Sequence, residues 1–383
     1  MRERNLVFSR YCGAMLFLVW ILGLAGGSGT GITAGNGPTW SELGSGMEWS
    51  VSALTVAPDG SLYVATGPPW AKGGGEFNYR HISKWNGSTW STLQMGSGIN
   101  GLVDTLAVSS NGTLYAGGQF TKVGRIAVNN VARWNGSTWS PLGSGVSGRN
   151  VDEYVTDEVT AISAASDGTI YAGGGFLTAG GKKARHVAKW DGSNWSALGS
   201  GVDGPVCALA LAPDGTLYAG WNIHKPDGKS SEGYVSQWKG SAWSVLKSGT
   251  NDNVTALAVA PDGTLYAARS LYKHFILQEG YVAKWNGSSW TPIGPKMKER
   301  VSCLAFAPNG TLYAARDFYD AHGMPSAGDV AVWNGSMWAP LGSKMNERVS
   351  GLALAPNGSI YAGGWFDKVG NKAVNFIAKW GLQ

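Results

Sequence analysis

A unit of about 48 residues recurs seven times along this 383-residue chain. Each unit begins with an apolar run that ends in a Pro/Ser-Asp/Asn-Gly turn, and a short strand-like segment containing a tyrosine follows. One four-stranded sheet cannot bury both of its faces alone, whereas sheets packed side by side around a ring can. The period therefore predicts an all-β fold, a seven-bladed β-propeller with four strands in each blade. The repeated tyrosines are Tyr63, Tyr115, Tyr171, Tyr218, Tyr266, Tyr313 and Tyr361.

The two ends of the repeat complement each other. After Trp380 the seventh unit lacks the Trp-Ser-x-Leu-Gly segment that ends the other units, and this segment stands near the N terminus instead, within residues 36–46. We expect this N-terminal strand to pair into the last blade and close the ring. Closure removes the exposed sheet edges that an open array would offer to aggregation.

Residues 1–35 have a different character from the repeat. Arg2, Arg4 and Arg10 precede an apolar run over residues 13–25, and a Gly/Ser/Thr-rich stretch follows. This order is typical of a secretory signal peptide. The alternative is an uncleaved N-terminal anchor, although the run is shorter than the roughly 18 to 20 apolar residues of a membrane span. We assign 1–35 to the signal peptide or anchor with its linker and 36–383 to the propeller, and we expect a secreted, extracellular or cell-surface protein.

Charge bears on the class of partner, and the positions of the cysteines bear on disulfide formation. Without residues 1–35 the chain has 27 basic and 24 acidic residues, a balance that does not favour nucleic acid. Cys207 and Cys303 lie in the inner strands of non-neighbouring units, too far apart for a disulfide, and we expect both thiols to be buried. We expect the closed ring to be a monomer.

The connections between strands sort into two rims. The Asp/Asn-Gly hairpins, which join the first strand to the second and the third to the fourth, are short and alike, and we call their side the uniform rim. The connections from second to third strand and from blade to blade form the variable rim. There, residues 118–124, 221–227 and 316–322 differ from unit to unit. Variable loops on a rigid scaffold are where binding residues concentrate.

Aromatic, arginine and histidine side chains gather on the variable rim. Rings supply contact area at low entropic cost, and cations orient polar ligands. The repeated outer tryptophans are predicted to pack between blades instead. We expect no metal or cofactor, because the five histidines belong to separate units without close ligand pairs. The residues expected to contact a ligand are Trp70, Trp221, His224, Arg269, Tyr272, Phe275, Arg316, Phe318, Tyr319, His322 and Trp365.

The third unit carries the clearest family resemblance. Its Gly-Gly-Gly-Phe-Leu-Thr-Ala-Gly-Gly at 173–181 and Val-Ala-Lys-Trp-Asp-Gly-Ser-Asn-Trp-Ser-Ala-Leu-Gly-Ser-Gly at 187–201 resemble the repeats of bacterial extracellular β-propeller proteins. They are more distantly similar to fungal cortical surface proteins and kelch-type propellers. The resemblance covers roughly residues 36 to 383. Units two, three and seven keep the Gly-Gly-x-Phe pattern, and the departure of the other units implies reshaped loops. The double-Trp outer strand is also somewhat similar to that of seven-bladed propeller lectins, which implies sugar binding.

Catalytic motifs are scarce. The chain has no Gly-x-Ser-x-Gly elbow, no His-Glu-x-x-His and no phosphate loop. The sequence therefore favours a non-catalytic binding module that uses its variable rim, with an extracellular glycan or protein as partner. The most specific form of this prediction is a carbohydrate-binding role. Membrane contact is expected only if the N-terminal segment is an uncleaved anchor. The alternative is a propeller enzyme, a polysaccharide lyase or glycoside hydrolase, because propeller enzymes build sites from residues scattered over several blades.

Overall fold

The computed structural model contains seven four-stranded antiparallel sheets, the blades of a propeller. It describes residues 38–67, 80–93, 96, 98–148, 157–224, 231–246, 252–273, 276–320 and 323–381. The inner strand of each blade lies against the inner strand of the next, and that of blade 7 lies against that of blade 1. The predicted all-β propeller of seven four-stranded blades is confirmed.

Within each blade the strands are given in order from the innermost (first) to the outermost (fourth). The strands are Val51–Val56, Leu62–Thr66, His81–Trp85 and Trp90–Thr92 in blade 1; Leu102–Val108, Leu114–Gln119, Val131–Trp134 and Trp139–Pro141 in blade 2; Val159–Ala164, Ile170–Gly174, Val187–Trp190 and Trp195–Ala197 in blade 3; Val206–Leu211, Leu217–His224, Ser231–Trp238 and Trp243–Leu246 in blade 4; Asn253–Val259, Leu265–Lys273, Ile276–Trp285 and Trp290–Met297 in blade 5; Arg300–Phe306, Leu312–Tyr319, Pro325–Trp333 and Trp338–Pro340 in blade 6; and Val349–Leu354, Ile360–Gly364, Ile377–Gly381 and Thr39–Glu42 in blade 7.

The outer strand of blade 7 comes from the N-terminal side of the chain. Thr39–Glu42 pairs antiparallel with Ile377–Gly381, which places Trp40 opposite Trp380. The predicted closure of the ring is confirmed.

The repeated turns of the uniform rim are stabilised by their own side chains. The Asp59 carboxylate accepts a hydrogen bond from the Ser61 amide at 2.8 Å, and the Asn86 amide oxygen accepts one from each of the Ser88 and Thr89 amides at 2.9 Å. Gly60 and Gly87 have φ angles of +82° and +102°, a conformation that glycine adopts without strain. These geometries explain why the Asp/Asn-Gly sequences recur in every unit.

The outer tryptophans fasten neighbouring blades. In each blade the tryptophans of the third and fourth strands pair, with ring centroids 5.2 to 5.6 Å apart. The Trp195 indole N–H donates to the Leu142 carbonyl of blade 2 at 2.7 Å, and the Trp243 N–H donates to the Leu198 carbonyl of blade 3 at 2.8 Å. The Trp-Ser-x-Leu-Gly repeat is therefore a connector between blades.

A second connector lies at the inner strands. Every inner strand has a β-bulge at its second or third residue. In blades 1, 5 and 6 the bulged residue's side chain donates to a valine carbonyl of the next blade: Ser52 to Val103 at 2.7 Å, Thr255 to Val301 at 2.7 Å and Ser302 to Val349 at 3.0 Å. Cys207 occupies the same position and is partly exposed, contrary to the expectation of two buried thiols, whereas Cys303 is buried.

The variable rim has two kinds of connection between the second and third strands. Blades 2, 3 and 7 carry short hairpins, whose strands are Lys122–Val123 and Ile126–Ala127, Thr178–Ala179 and Lys182–Lys183, and Lys368–Val369 and Lys372–Ala373. In blades 4, 5 and 6 the second and third strands themselves extend, so part of the segments predicted as loops at 221–227 and 316–322 is strand.

The Gly-Gly pair accounts for this difference. Gly174 approaches the Glu158 carbonyl of the neighbouring inner strand so closely that a Cβ atom would lie 1.9 Å from its oxygen. There the ladder to the third strand ends, and Phe176 turns into the core with no exposed surface. In blades 4, 5 and 6, where a larger residue replaces the second glycine, the ladder continues to the rim.

Candidate functional site

For four of the predicted ligand residues the structure does not describe the side chain. Trp70, Phe275 and His322 lie outside the described residues, and His224 ends the second strand of blade 4 with its side chain outside the description. Their ligand-binding roles stay predictions.

Three further predicted residues are part of the interior. Trp221, Arg269 and Arg316 occupy the same position in blades 4, 5 and 6, where blades 2, 3 and 7 have the second glycine of Gly-Gly-x-Phe. They are 4%, 2% and 8% exposed, so the expectation of an exposed Trp221 ring is wrong. A larger side chain at this position is therefore buried in the interior of the propeller.

Each of these three side chains has partners inside the protein. Trp221 stacks on Tyr234 with ring centroids 4.3 Å apart. The Arg269 guanidinium contacts the Asp252 carboxylate at 2.7 Å. The Arg316 guanidinium donates two hydrogen bonds to Asp329, at 2.8 and 2.6 Å. Both arginines therefore use their charge within the fold.

The remaining predicted residues lie at blades 5 to 7. Tyr272, Phe318, Tyr319 and Trp365 are all partly exposed on the variable rim. The Lys344 ammonium lies 3.6 Å from the centre of the Phe318 ring, and the Arg348 guanidinium lies 3.9 Å from the centre of the Trp365 ring. The cations at this part of the rim are thus arranged over aromatic rings.

Around these rings a connected group of polar side chains forms, which we call the arginine cluster. Arg300 begins the inner strand of blade 6 and contacts Asp317 at the end of the second strand at 3.4 Å. Arg348 precedes the inner strand of blade 7 and interacts with the same carboxylate. The Arg300 guanidinium donates a hydrogen bond to the Tyr319 hydroxyl oxygen, and Tyr272 of blade 5 interacts electrostatically with Arg300 and Tyr319. The arginine cluster consists of Tyr272, Arg300, Asp317, Tyr319, Arg348 and Trp365.

Burial sets the protonation of the cluster. Burial raises the pKa of Asp317 to about 6, although Arg300 and Arg348 pull it downward. Burial likewise raises the pKa of Tyr272 to about 12 and raises that of Tyr319. Both phenols therefore keep their protons at neutral pH and can donate hydrogen bonds to a ligand.

Asp317 also joins blade 6 to blade 7. Its carboxylate accepts a hydrogen bond from the Val349 amide at 3.3 Å. In blade 4, Asn222 occupies the equivalent position and exchanges two hydrogen bonds with Val254 of blade 5, at 2.9 and 3.0 Å. The polar residue at this position therefore has a structural role, and only in blade 6 is it charged and flanked by arginines.

Sequence reasoning missed Arg300 and Arg348. Both stand directly before the valine of an inner strand, in the repeated sequence Glu-Arg-Val-Ser at 299–302 and 347–350. Inner strands are read as core, so the arginines were absent from the predicted rim. The signal that could have found them is a charged residue in this position in two consecutive units.

The described part of the chain contains neither a cluster of metal-binding side chains nor a membrane-spanning helix. Among those residues no group of three or more His, Cys, Asp or Glu side chains is placed to hold a metal ion. In the same residues no helix has the length and apolar character needed to cross a membrane.

Comparison with known proteins shows the fold and leaves the family open. No family model and no curated protein sequence matches the chain. Among solved structures, the extracellular domain of the hybrid two-component system BT4673 from B. thetaiotaomicron is similar at a TM-score of 0.56 and 11% identity, over 89% of this chain and 39% of that one. YCF48 bound to D1 peptide is similar at 0.53 and 14%, over 90% and 97%. Puromycin hydrolase is similar at 0.56 and 14%, over 82% and 50%.

Proposed function

We propose that this propeller is a secreted, non-catalytic binding module that holds a carbohydrate at the arginine cluster. The observation that carries the proposal is the combination of partly exposed rings and hydrogen-bond donors at one place on the variable rim. Trp365, Tyr272 and Tyr319 offer aromatic faces and protonated phenols, and Arg300 and Arg348 offer planar donors. Stacking surface combined with directional donors suits a sugar, which has an apolar face and a hydroxyl edge.

Two of the similar solved structures are consistent with an extracellular binding role. One is an extracellular domain, in keeping with the predicted signal peptide, and another is a propeller described in complex with a peptide. A peptide ligand is therefore the competing outcome of the same experiment. The raised pKa of Asp317 gives the site a group that can exchange a proton near pH 6, so turnover must be measured with binding.

The test is a glycan array probed with the mature protein, followed by calorimetry on any sugar that binds. Trp365→Ala combined with Tyr319→Phe removes a stacking face and a donor from partly exposed positions. We expect binding to weaken at least tenfold, the effect of about 1.4 kcal/mol, with little change in melting temperature.

The control variants lie on the uniform rim. Asp262→Asn and Asn286→Asp change turns of the opposite rim, and neither should alter binding. If the control variants abolish binding while the double variant binds normally, the site is on the other rim. If the protein cleaves the sugar that it binds, the enzyme alternative replaces the proposal.

A further inference from the structure

The short hairpins of blades 2, 3 and 7 carry an unusual set of charges. Six basic side chains on them are exposed: Lys122, Arg125, Lys182, Lys183, Lys368 and Lys372. None of the six forms an ion pair with another residue that the structure describes, whereas Lys84, Arg185 and Lys296 elsewhere do. Asp367 is the acidic neighbour in blade 7, and the Asn346 side chain donates a hydrogen bond to it.

These cations are displayed on a fixed framework. In each hairpin an apolar residue on either side of the tip is buried: Val123 and Val128 are 1% and 4% exposed, and Val369 and Val374 are 4% and 0% exposed. Each tip is also tied to the connection that enters its blade, because the Gly124, Gly180 and Gly370 amides donate to the carbonyls of Gly98, Gly145 and Lys344 at 2.7 to 2.9 Å. The backbone that carries the basic side chains is therefore held in place.

The position of the hairpins requires an extended partner. In ring order blades 7, 1, 2 and 3 are consecutive, so the hairpins of blades 2 and 3 are neighbours and the hairpin of blade 7 is separated from that of blade 2 by one blade. A small ligand can contact one hairpin only, whereas a polymer can lie along all three and neutralise several cations at once. Unpaired like charges repel one another, and a polyanion relieves this repulsion.

We infer that the short hairpins form a binding surface for an anionic polysaccharide. This surface is distinct from the arginine cluster, and the inference does not depend on the function proposed there. A membrane fits less well. Thr39 pairs with Gly381 at the uniform-rim end of the third strand, so Thr39–Glu42 begins at the uniform rim, and a membrane reached through the preceding residues would face that rim. Nucleic acid fits less well because the hairpin strands carry no aromatic residues for base stacking.

The experiment measures binding of the full mature propeller to polygalacturonate and to dextran sulfate by biolayer interferometry. Methyl-esterified polygalacturonate and dextran are the neutral counterparts. We expect the anionic polymers alone to bind, and to dissociate as NaCl rises from about 0.05 to about 1 M, because the screening length falls to about 3 Å.

The test variant changes all six hairpin cations to glutamine. A matched control changes six cations near the uniform rim, so that both variants lose the same charge: Lys84, Arg133, Lys189, Lys239, Lys284 and Lys379. The hairpin variant should bind at least about tenfold more weakly and the control no more than about twofold more weakly, since each exposed ion pair contributes modestly and six act together.

Several results would overturn the inference. Equal binding of the neutral and anionic polymers would remove the ionic basis. Equal losses in the two variants would show that net charge matters and the hairpins do not. Binding of phosphatidylglycerol vesicles or poly-dT, with no binding of either anionic polysaccharide, would assign the surface to another class of partner. A Trp365→Ala variant measured in parallel should bind the anionic polymers normally, and a loss of their binding would contradict a surface separate from the arginine cluster.

Discussion

The connector made by the outer tryptophans can be tested at Trp195. Its ring is 4% exposed, pairs with Trp190 at 5.5 Å and donates its N–H to the Leu142 carbonyl at 2.7 Å. The short hairpin of blade 3 covers it, because a Cβ atom on Gly180 would lie 2.9 Å from the Trp195 side chain. Trp195→Ala should therefore cost about 3 to 5 kcal/mol, the range for deleting a large buried ring.

Trp243 in blade 4 is the matched position. It makes the same hydrogen bond at 2.8 Å, but its blade has an extended hairpin and its ring is partly exposed. Trp243→Ala should cost at least about 1 kcal/mol less than Trp195→Ala, because part of its ring is already in water. Trp195→Phe keeps a ring and loses the donor, so about 1 to 3 kcal/mol is expected.

Thermal unfolding followed by near-ultraviolet circular dichroism measures these costs. An unfolding entropy of about 2.1 cal/mol/K per residue over roughly 340 residues makes each kcal/mol equivalent to about 1.4 °C. Trp195→Ala should thus lower the melting temperature by about 4 to 7 °C, more than either other variant. A melting temperature within 1 °C of the wild type, or a larger effect of Trp243→Ala, would refute this account of the connector.

Two other predictions concern ring closure and the charge of the cluster. Deleting residues 36–46 exposes the edge of Ile377–Gly381 and should cause aggregation or a large loss of thermal stability; a monomer with an unchanged melting temperature would contradict this. The pKa of Asp317 is raised from 3.8 to about 6 in the folded protein. Between these pH values the folded state therefore binds a proton that the unfolded chain does not. As a result, the contribution of Asp317 to stability falls as the pH rises through about 6. Asp317→Asn, which introduces the residue that blade 4 has at Asn222, should remove this dependence and raise the melting temperature relative to wild type at pH 8 more than at pH 4. The opposite trend would mean that the arginines, rather than burial, control the carboxylate.

The sequence predicted the features that recur in every unit. The Asp/Asn-Gly turns, the paired tryptophans and the strand at 39–42 each follow from local chemistry that repeats, and the complementary ends of the repeat indicate a closed ring. These features can be predicted without knowing the long-range contacts, because each unit packs against units of similar sequence.

The candidate site depends on departures from the repeat, which the sequence alone does not interpret. Trp221, Arg269 and Arg316 replace a glycine whose role is close approach between strands, so their side chains point inward and are buried. Tyr319 and Trp365 lie further along, where the chain reaches the rim. Of the arginines that complete the cluster, Arg300 begins an inner strand and Arg348 directly precedes one, and only the packing of blade 7 against blade 6 brings both beside Asp317.

The pairing of Thr39–Glu42 with Ile377–Gly381 also has a kinetic consequence. The hydrogen bond from the Ser41 hydroxyl to the Lys379 carbonyl joins residues 338 positions apart, and the entropy lost on joining them grows with the logarithm of that separation. During synthesis the first strand remains without its partner until the last blade has emerged, so sealing the ring is a late step in folding. Once sealed, no blade can open without breaking contacts on both sides. Unfolding should therefore be slow, and the lifetime of the native protein should be governed by the rate at which this one junction opens.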